Sequence, residues 1–435
     1  MDDDRSAASA GSRLTRRGLL AVAGASAMAG CSSLTEFGES SEPTIRAYDL
    51  PDVDRREHPE PVVPESVPVD VAPAYFDATR DRVTTLLAEI PTPLGPEAIP
   101  NGYIRERLVD AASDAADRLS EAQGAPTQFA ALTALQRARA EARYAAAGWA
   151  VVAEDRSAET LAEAHQQVVA DAQSARTDHE YVGSDPVRAA LVHHRIENLL
   201  GRAIDSDEPR REDSRLLHVA EWGDTVESAR AYRDDADHLD EQFRASLPAD
   251  AGTVEATLSG AAETLFADVQ SQQSDVPPEP TAEDWGLHEL AIDELRERVK
   301  IGPVQAADAD GPASGVVEAN RQLTRFAALD RLQERIDSGE LSRPESAAAV
   351  REVRSAAYDA LETALAESDA PELTRTAITN AGWRVAHADW ELARYEGEFP
   401  VSRLDRTIAE YAVGTAVARV APGVAESTAE TLERT

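Results

Sequence analysis

The stretch PTQFAALTALQRARAEARYAAAGWAVVAEDR, Pro126 to Arg156, decides the fold class. Leu132, Leu135, Ala142, Ala145, Trp149 and Val152 recur at spacings that stack them on one face of a helix with 3.6 residues per turn. The period-two alternation of a strand is missing. The same signal returns between Pro344 and Ser368 through Val350, Val353, Ala357, Leu361 and Leu365.

Start signals agree with the periodicity. Asp185-Pro186 supplies an N-cap followed by a first-turn proline, and Ser342 with Glu345 reads as a capping box. Extended along the chain, these rules predict twelve helices at about 73–90, 102–123, 127–155, 157–178, 185–205, 211–245, 252–273, 283–300, 313–338, 343–367, 371–396 and 401–433. Short connections make neighbouring helices antiparallel. The expected fold is therefore all-α, two antiparallel helical bundles behind a proline-rich extended tether.

Pro277, Pro278 and Pro280 place the clearest break at Ser274–Thr281, with a second at Asp308–Gly315. The break divides the body into an N-terminal bundle over 73–275 and a C-terminal bundle over 281–435. The competing reading is one continuous array with a long turn at the prolines. Ala147-Gly148-Trp149-x-Val151 and Ala381-Gly382-Trp383-x-Val385 hint at a duplication, although tight helix crossings with a tryptophan filler explain both.

The chain carries 80 acidic and 43 basic residues, a formal charge of −37, and Lys300 is its single lysine. In molar salt the screening length falls to about 3 Å, so self-repulsion on this scale largely vanishes. The composition is read as adaptation to high salt. It argues against nucleic acid as a partner, because phosphate recognition needs basic patches.

At the N-terminus, Thr15-Arg16-Arg17-Gly18-Leu19-Leu20 leads through a weakly apolar run to Met28-Ala29-Gly30-Cys31. The run Gly18–Gly30 falls well short of the roughly 20 apolar residues that span a bilayer, so residues 1–30 read as a targeting segment. The pattern resembles the twin-arginine lipoproteins common in salt-loving archaea, with Leu19 where many such signals have Phe and Met28 where Leu is usual. The resemblance implies export through Arg16 and Arg17, lipid on Cys31, and residence on the extracytoplasmic face of the membrane. Cys31 is the single cysteine. Once it carries lipid, no disulfide, zinc–thiolate site or cysteine nucleophile remains. Prolines 43, 51, 59, 61, 64, 68 and 73 make residues 31–72 extended and non-helical. That segment is expected to be a spacer, with a strap over Val62–Val71 lying along the body as the alternative.

Chemistry is sparse. The best candidate is Val192-His193-His194-Arg195-Ile196-Glu197-Asn198-Leu199-Leu200-Gly201. His194 with Glu197 is an i,i+3 pair and His193 with Glu197 an i,i+4 pair, so either shares a helix face. Imidazole beside carboxylate suits a divalent metal, and the bland alternative is a structural His–Glu pair. The run resembles the His-x-x-Glu helix of the imelysin family, with His194 as the motif histidine and Glu197 as its glutamate. Val192 stands at the motif glycine. The resemblance implies metal binding linked to iron uptake. Asp235 with His238, His387 with Glu391 and His218 with Glu221 are weaker pairs, expected to be structural or solvated. Trp222, Trp285, Trp383 and Trp390 are expected to fill core, with an apolar ligand groove as the alternative.

The sequence contains no nucleophile elbow, P-loop, dinucleotide fingerprint or His-Glu-x-x-His. The expected function is that of a non-enzymatic binding, scaffold or envelope-interaction lipoprotein. It would hold membrane lipid through Cys31 and engage an envelope protein partner. The alternative is an imelysin-like metal-binding protein using His194 and Glu197.

Overall fold

The computed structural model describes residues 42–53, 62–281, 284–307 and 309–435. The signal residues Arg16, Arg17 and Cys31 lie outside them. The described residues form twelve α-helices, eleven of them within a few residues of the expected bounds, while the eighth runs on to Ala307, past its expected end at 300. The first six are α1 (Pro73–Ala88), α2 (Gly102–Gly124), α3 (Gln128–Glu154), α4 (Glu159–Thr177), α5 (Pro186–Ile204) and α6 (Arg215–Ser246). The second six are α7 (Glu255–Gln272), α8 (Leu287–Ala307), α9 (Pro312–Asp337), α10 (Ala347–Ala366), α11 (Pro371–Leu392) and α12 (Asp405–Arg434). Among the described residues the extended structure is two short antiparallel ladders, β1 (Thr44–Arg46) with β4 (Glu398–Pro400) and β2 (Val182–Gly183) with β3 (Gly252–Thr253). The chain is all-α, as the periodicity predicts.

Caps set the boundaries. Asp185 accepts the Arg188 amide at 3.0 Å, as expected for α5. The expected capping box at Ser342 does not form. Ser346 caps α10 instead, its hydroxyl accepting the Ala349 amide at 3.2 Å. A residue before proline is held out of the helical region, so Arg343-Pro344 delays the helix start.

Helices α1–α6 and α7–α12 pack in the same order. In the first set α3 and α6 form the centre, α1 and α2 lie on α3, and α4 and α5 lie on α6. In the second set α9 and α12 take the centre, α7 and α8 lie on α9, and α10 and α11 lie on α12. Helix α7 therefore packs with the C-terminal set, and the structural seam falls between α6 and α7 rather than at the proline loop. The Ala-Gly-Trp echo does not follow this correspondence, which matches α3 with α9. Gly148 packs against Leu108 and Leu216, whereas Gly382 faces Val63, and Trp383 is exposed.

Small residues let helices approach closely at the centre of each set. A Cβ at Gly223 on α6 would lie 2.9 Å from the Arg143 carbonyl on α3. On α12, a Cβ at Gly414 would lie 2.9 Å from Val385 on α11. Each set also buries a paired carboxylate. Glu227 on α6 is fully buried and receives Arg82 from α1 at 2.8 Å and Arg139 from α3 at 3.0 Å. Asp389 on α11 receives Arg354 and Tyr358 from α10 at 2.6 and 2.7 Å, and the Tyr411 hydroxyl from α12. Pairing offsets the desolvation that would otherwise exclude such charges.

The proline-rich lead-in corrects the spacer reading wherever it is described. It is non-helical, as its prolines require, but it is docked. Residues 44–46 pair with β4. Val63 inserts beside Gly382, Val69 and Val71 are buried against the first helix set, and Ser66 donates to Glu372 on α11 at 2.6 Å. Thr127 donates to the Glu65 carbonyl at 2.6 Å, and Gln128 accepts the Val71 amide at 2.9 Å. This strap therefore touches both helix sets, as the alternative reading over Val62–Val71 anticipates.

Candidate metal centre

Helix α5 lies between α6 of its own set and α9 of the other. Thirteen of its nineteen residues are buried, which is why its periodicity blurs into a nearly continuous apolar run. Consecutive residues on a helix point about 100° apart. His193 and His194 consequently serve different neighbours.

His194 and Glu197 do share a face, and it meets the N-terminus of α9. Glu197 accepts the Ala313 amide at 3.1 Å and the Ser314 amide at 2.5 Å. Its carboxylate also accepts the hydroxyls of Ser314 and Tyr181. The helix dipole and its unpaired amides make this a favourable seat for a carboxylate. Burial pushes the carboxyl upward from its ordinary range, and the Ser314, Tyr181 and Ala313 bonds oppose that shift. With the Ser314 proton given to Glu197, the hydroxyl oxygen accepts His194 Nδ1–H at 3.0 Å. Burial holds His194 neutral, reinforced by Arg321 and Arg195. The pair thus joins helix α5 to helix α9 in a structural contact. Gly311, which precedes α9, is needed there because a Cβ would collide with Glu197 and the Tyr181 hydroxyl.

His193 faces the other way. Its Nε2 lies 2.9 Å from the Val182 carbonyl and its Nδ1 2.9 Å from His179 Nε2. His179 Nδ1 in turn lies 3.9 Å from Asp240 Oδ1 on α6. His179, His193 and Asp240 each offer a ligand atom within 4.8 Å of the others, the arrangement of a metal-binding group. Burial lowers the His193 pKa to about 4 and depresses that of His179. Both rings are therefore neutral near pH 7, as metal ligation requires. The ring of Tyr181 packs edge-on against both, at 4.8 and 5.1 Å. His179 also lines a cavity of about 540 Å³ with Arg176, Tyr181, Glu255 and Asp310.

The sequence reading singles out this helix but not this trio. His179 lies in the loop after α4 and Asp240 a further helix away, so no fixed spacing announces them. The weaker pairs are structural. His238 stacks on Tyr75 at 4.0 Å and accepts the Ala72 amide at 3.2 Å, while Asp235 accepts the Tyr75 hydroxyl at 2.5 Å. His387 lies between Trp383 and Trp390, with ring centroids at 5.1 and 5.5 Å. Glu391 receives Thr407 at 3.4 Å, and Glu221 lies 3.8 Å from Arg107. Trp222 is buried beside His165 in the first helix set, as expected of a core filler, whereas Trp285 and Trp383 are exposed, against that expectation.

Comparison with known families follows the structural seam. Residues 74–250 are similar to a family described as a domain of unknown function (DUF8262), and residues 255–430 to a second domain of unknown function (DUF8264). These spans correspond to α1–α6 and α7–α12. No curated protein and no solved structure matches the chain.

Proposed function

We propose that the chain is a lipid-anchored, extracytoplasmic helical protein that works by binding, with an envelope protein as its partner. The observation that carries this reading is the order of signals along the sequence. Arg16-Arg17 precede a short apolar run, Ala29-Gly30 precede Cys31, and a proline-rich lead-in then reaches a helical body at Pro73. A lipid chain contributes about 0.8 kcal/mol per buried CH₂, so loss of Cys31 should be visible in fractionation. The test compares the full chain with Cys31→Ser in its native host. The unaltered chain should pellet with membranes and yield a lipid-modified N-terminal peptide beginning at Cys31, whereas Cys31→Ser should release a lipid-free form. A Cys31→Ser chain retained in the membrane to the same extent would overturn the anchor.

A second reading, a protein that binds a divalent metal, is favoured by the His179–His193–Asp240 cluster. His194 and Glu197 support it less, because Ser314 and the α9 amides already occupy their polar atoms.

A further inference from the structure

We propose that His179, His193 and Asp240 form a binding site for one divalent transition-metal ion of the zinc or cobalt type. The inference deepens the metal-binding reading and is independent of the lipid anchor.

The hydrogen-bond order around the two rings leads to it. The Val182 carbonyl can only accept, so His193 carries its proton on Nε2 and presents a lone pair at Nδ1. That lone pair accepts His179 Nε2–H. His179, neutral, then has its second lone pair on Nδ1, facing Asp240 Oδ1 at 3.9 Å. Asp240 Oδ1 is buried and accepts no hydrogen bond. Two acceptors face each other with nothing positive between them, an arrangement that an ion on His179 Nε2 and His193 Nδ1 resolves by moving the His179 proton to Nδ1, with Asp240 within 4.8 Å of both rings' ligand atoms.

The surroundings are those of a prepared ligand set. A ligating imidazole commonly donates its other N–H to a carbonyl, which sets tautomer and ring orientation. Val182 does this for His193. Arg244 holds the other Asp240 oxygen, Oδ2, at 2.7 Å and thereby aims Oδ1 at the histidines. Arg244 also binds Glu180 at 3.1 Å, so its charge is shared between two carboxylates. Metal–nitrogen bonds of about 2.0–2.1 Å in tetrahedral geometry put ligand atoms about 3.3 Å apart. The two imidazole nitrogens at 2.9 Å need open only slightly when the ion replaces the proton between them, and that proton shifts to His179 Nδ1, where Asp240 Oδ1 faces it. Two imidazoles and a carboxylate select borderline transition ions over magnesium or calcium. His179 lines the open cavity and so provides the ion's path.

The test uses the full chain, stripped with chelator in molar potassium chloride and titrated with Co²⁺ and then Zn²⁺. One equivalent of Co²⁺ should bind with the visible absorption of a nitrogen–oxygen site, and Zn²⁺ should displace it. Zn²⁺ should also shift the imidazole NMR signals of two histidines in the unaltered chain. His179→Ala and Asp240→Asn should each weaken binding by at least about tenfold, while His218→Gln should leave it unchanged. Asp240→Asn preserves side-chain shape, and circular dichroism reports the fold of each variant. Failure of the unaltered chain to bind, or unchanged affinity in folded His179→Ala or Asp240→Asn, would overturn the site. Either result leaves the Cys31 fractionation test unaffected.

Discussion

Glu197 Oε2 accepts the Ser314 amide at 2.5 Å, so a carboxylate from α5 closes the N-terminus of α9 in the other helix set. Most helix caps are local, supplied by the residue just before the helix. This one is borrowed across 117 residues of sequence.

Replacing Glu197 should therefore uncouple the two sets before it alters either. Glu197→Gln places an amide donor against helix N–H donors and should cost about 2 kcal/mol in chemical denaturation. Cobalt binding by the folded variant should be unchanged. Loss of binding with unchanged stability would return Glu197 to the role of metal ligand.

Gly382 tests the strap. A Cβ there would lie 2.9 Å from the Val63 amide nitrogen and 3.2 Å from its Cβ. Gly382→Ala should displace residues 62–66, destabilise the chain by about 1–3 kcal/mol and expose the strap to limited proteolysis. An unchanged cleavage pattern and midpoint would show that the strap contributes no packing there.

Asp224 gives a pH test with a definite sign. Burial, with Glu141 and then Glu221 nearby, raises its pKa to about 7. The unfolded chain releases this proton near pH 4. The folded state thus binds the extra proton between those values, and the group's contribution to stability falls as pH rises through that window. Asp224→Asn should be nearly neutral at pH 4 and stabilising by about 4 kcal/mol at pH 8. A stabilisation equal at both pH values would contradict the ionisation argument.

Asp389 holds its set through three helices. Asp389→Ala leaves Arg354 without its carboxylate partner and removes the acceptor of Tyr358 and Tyr411. The expected loss is about 3–5 kcal/mol, seen as a lowered thermal midpoint. A loss below about 1 kcal/mol would mean that water satisfies these groups as well as the carboxylate does.

Salt should matter to the whole body. With a formal charge of −37, dilution from molar to tens of millimolar salt lengthens screening from about 3 Å to more than 10 Å and restores self-repulsion. Cooperative loss of helical circular dichroism is expected. A spectrum unchanged by dialysis would sink that expectation.

Helix positions were legible because their cause is local. Leu132, Leu135 and Ala142 recur at the helical period, and Asp185-Pro186 marks a start through its own side chain and ring. The start of α10 was misplaced because Ser342 and Ser346 both offer a capping hydroxyl in the same short stretch. The repeated packing order was hidden because α3 and α9 share a position in their sets without sharing a readable motif. The Ala-Gly-Trp steps, which do resemble one another, occupy unlike surroundings.

The site was half legible. Val192–Gly201 stood out, yet which histidine faced which neighbour depended on what packs on either side of α5. Composition and 3.6-residue periodicity by themselves determined the all-α class and the succession of helices, since those follow from interactions within a few residues. Tertiary structure alone decided that Glu197 caps α9, that the proline segment is a strap, and that His179, His193 and Asp240 meet. Those relationships join residues far apart in the chain, and only close packing brings their atoms within bonding distance.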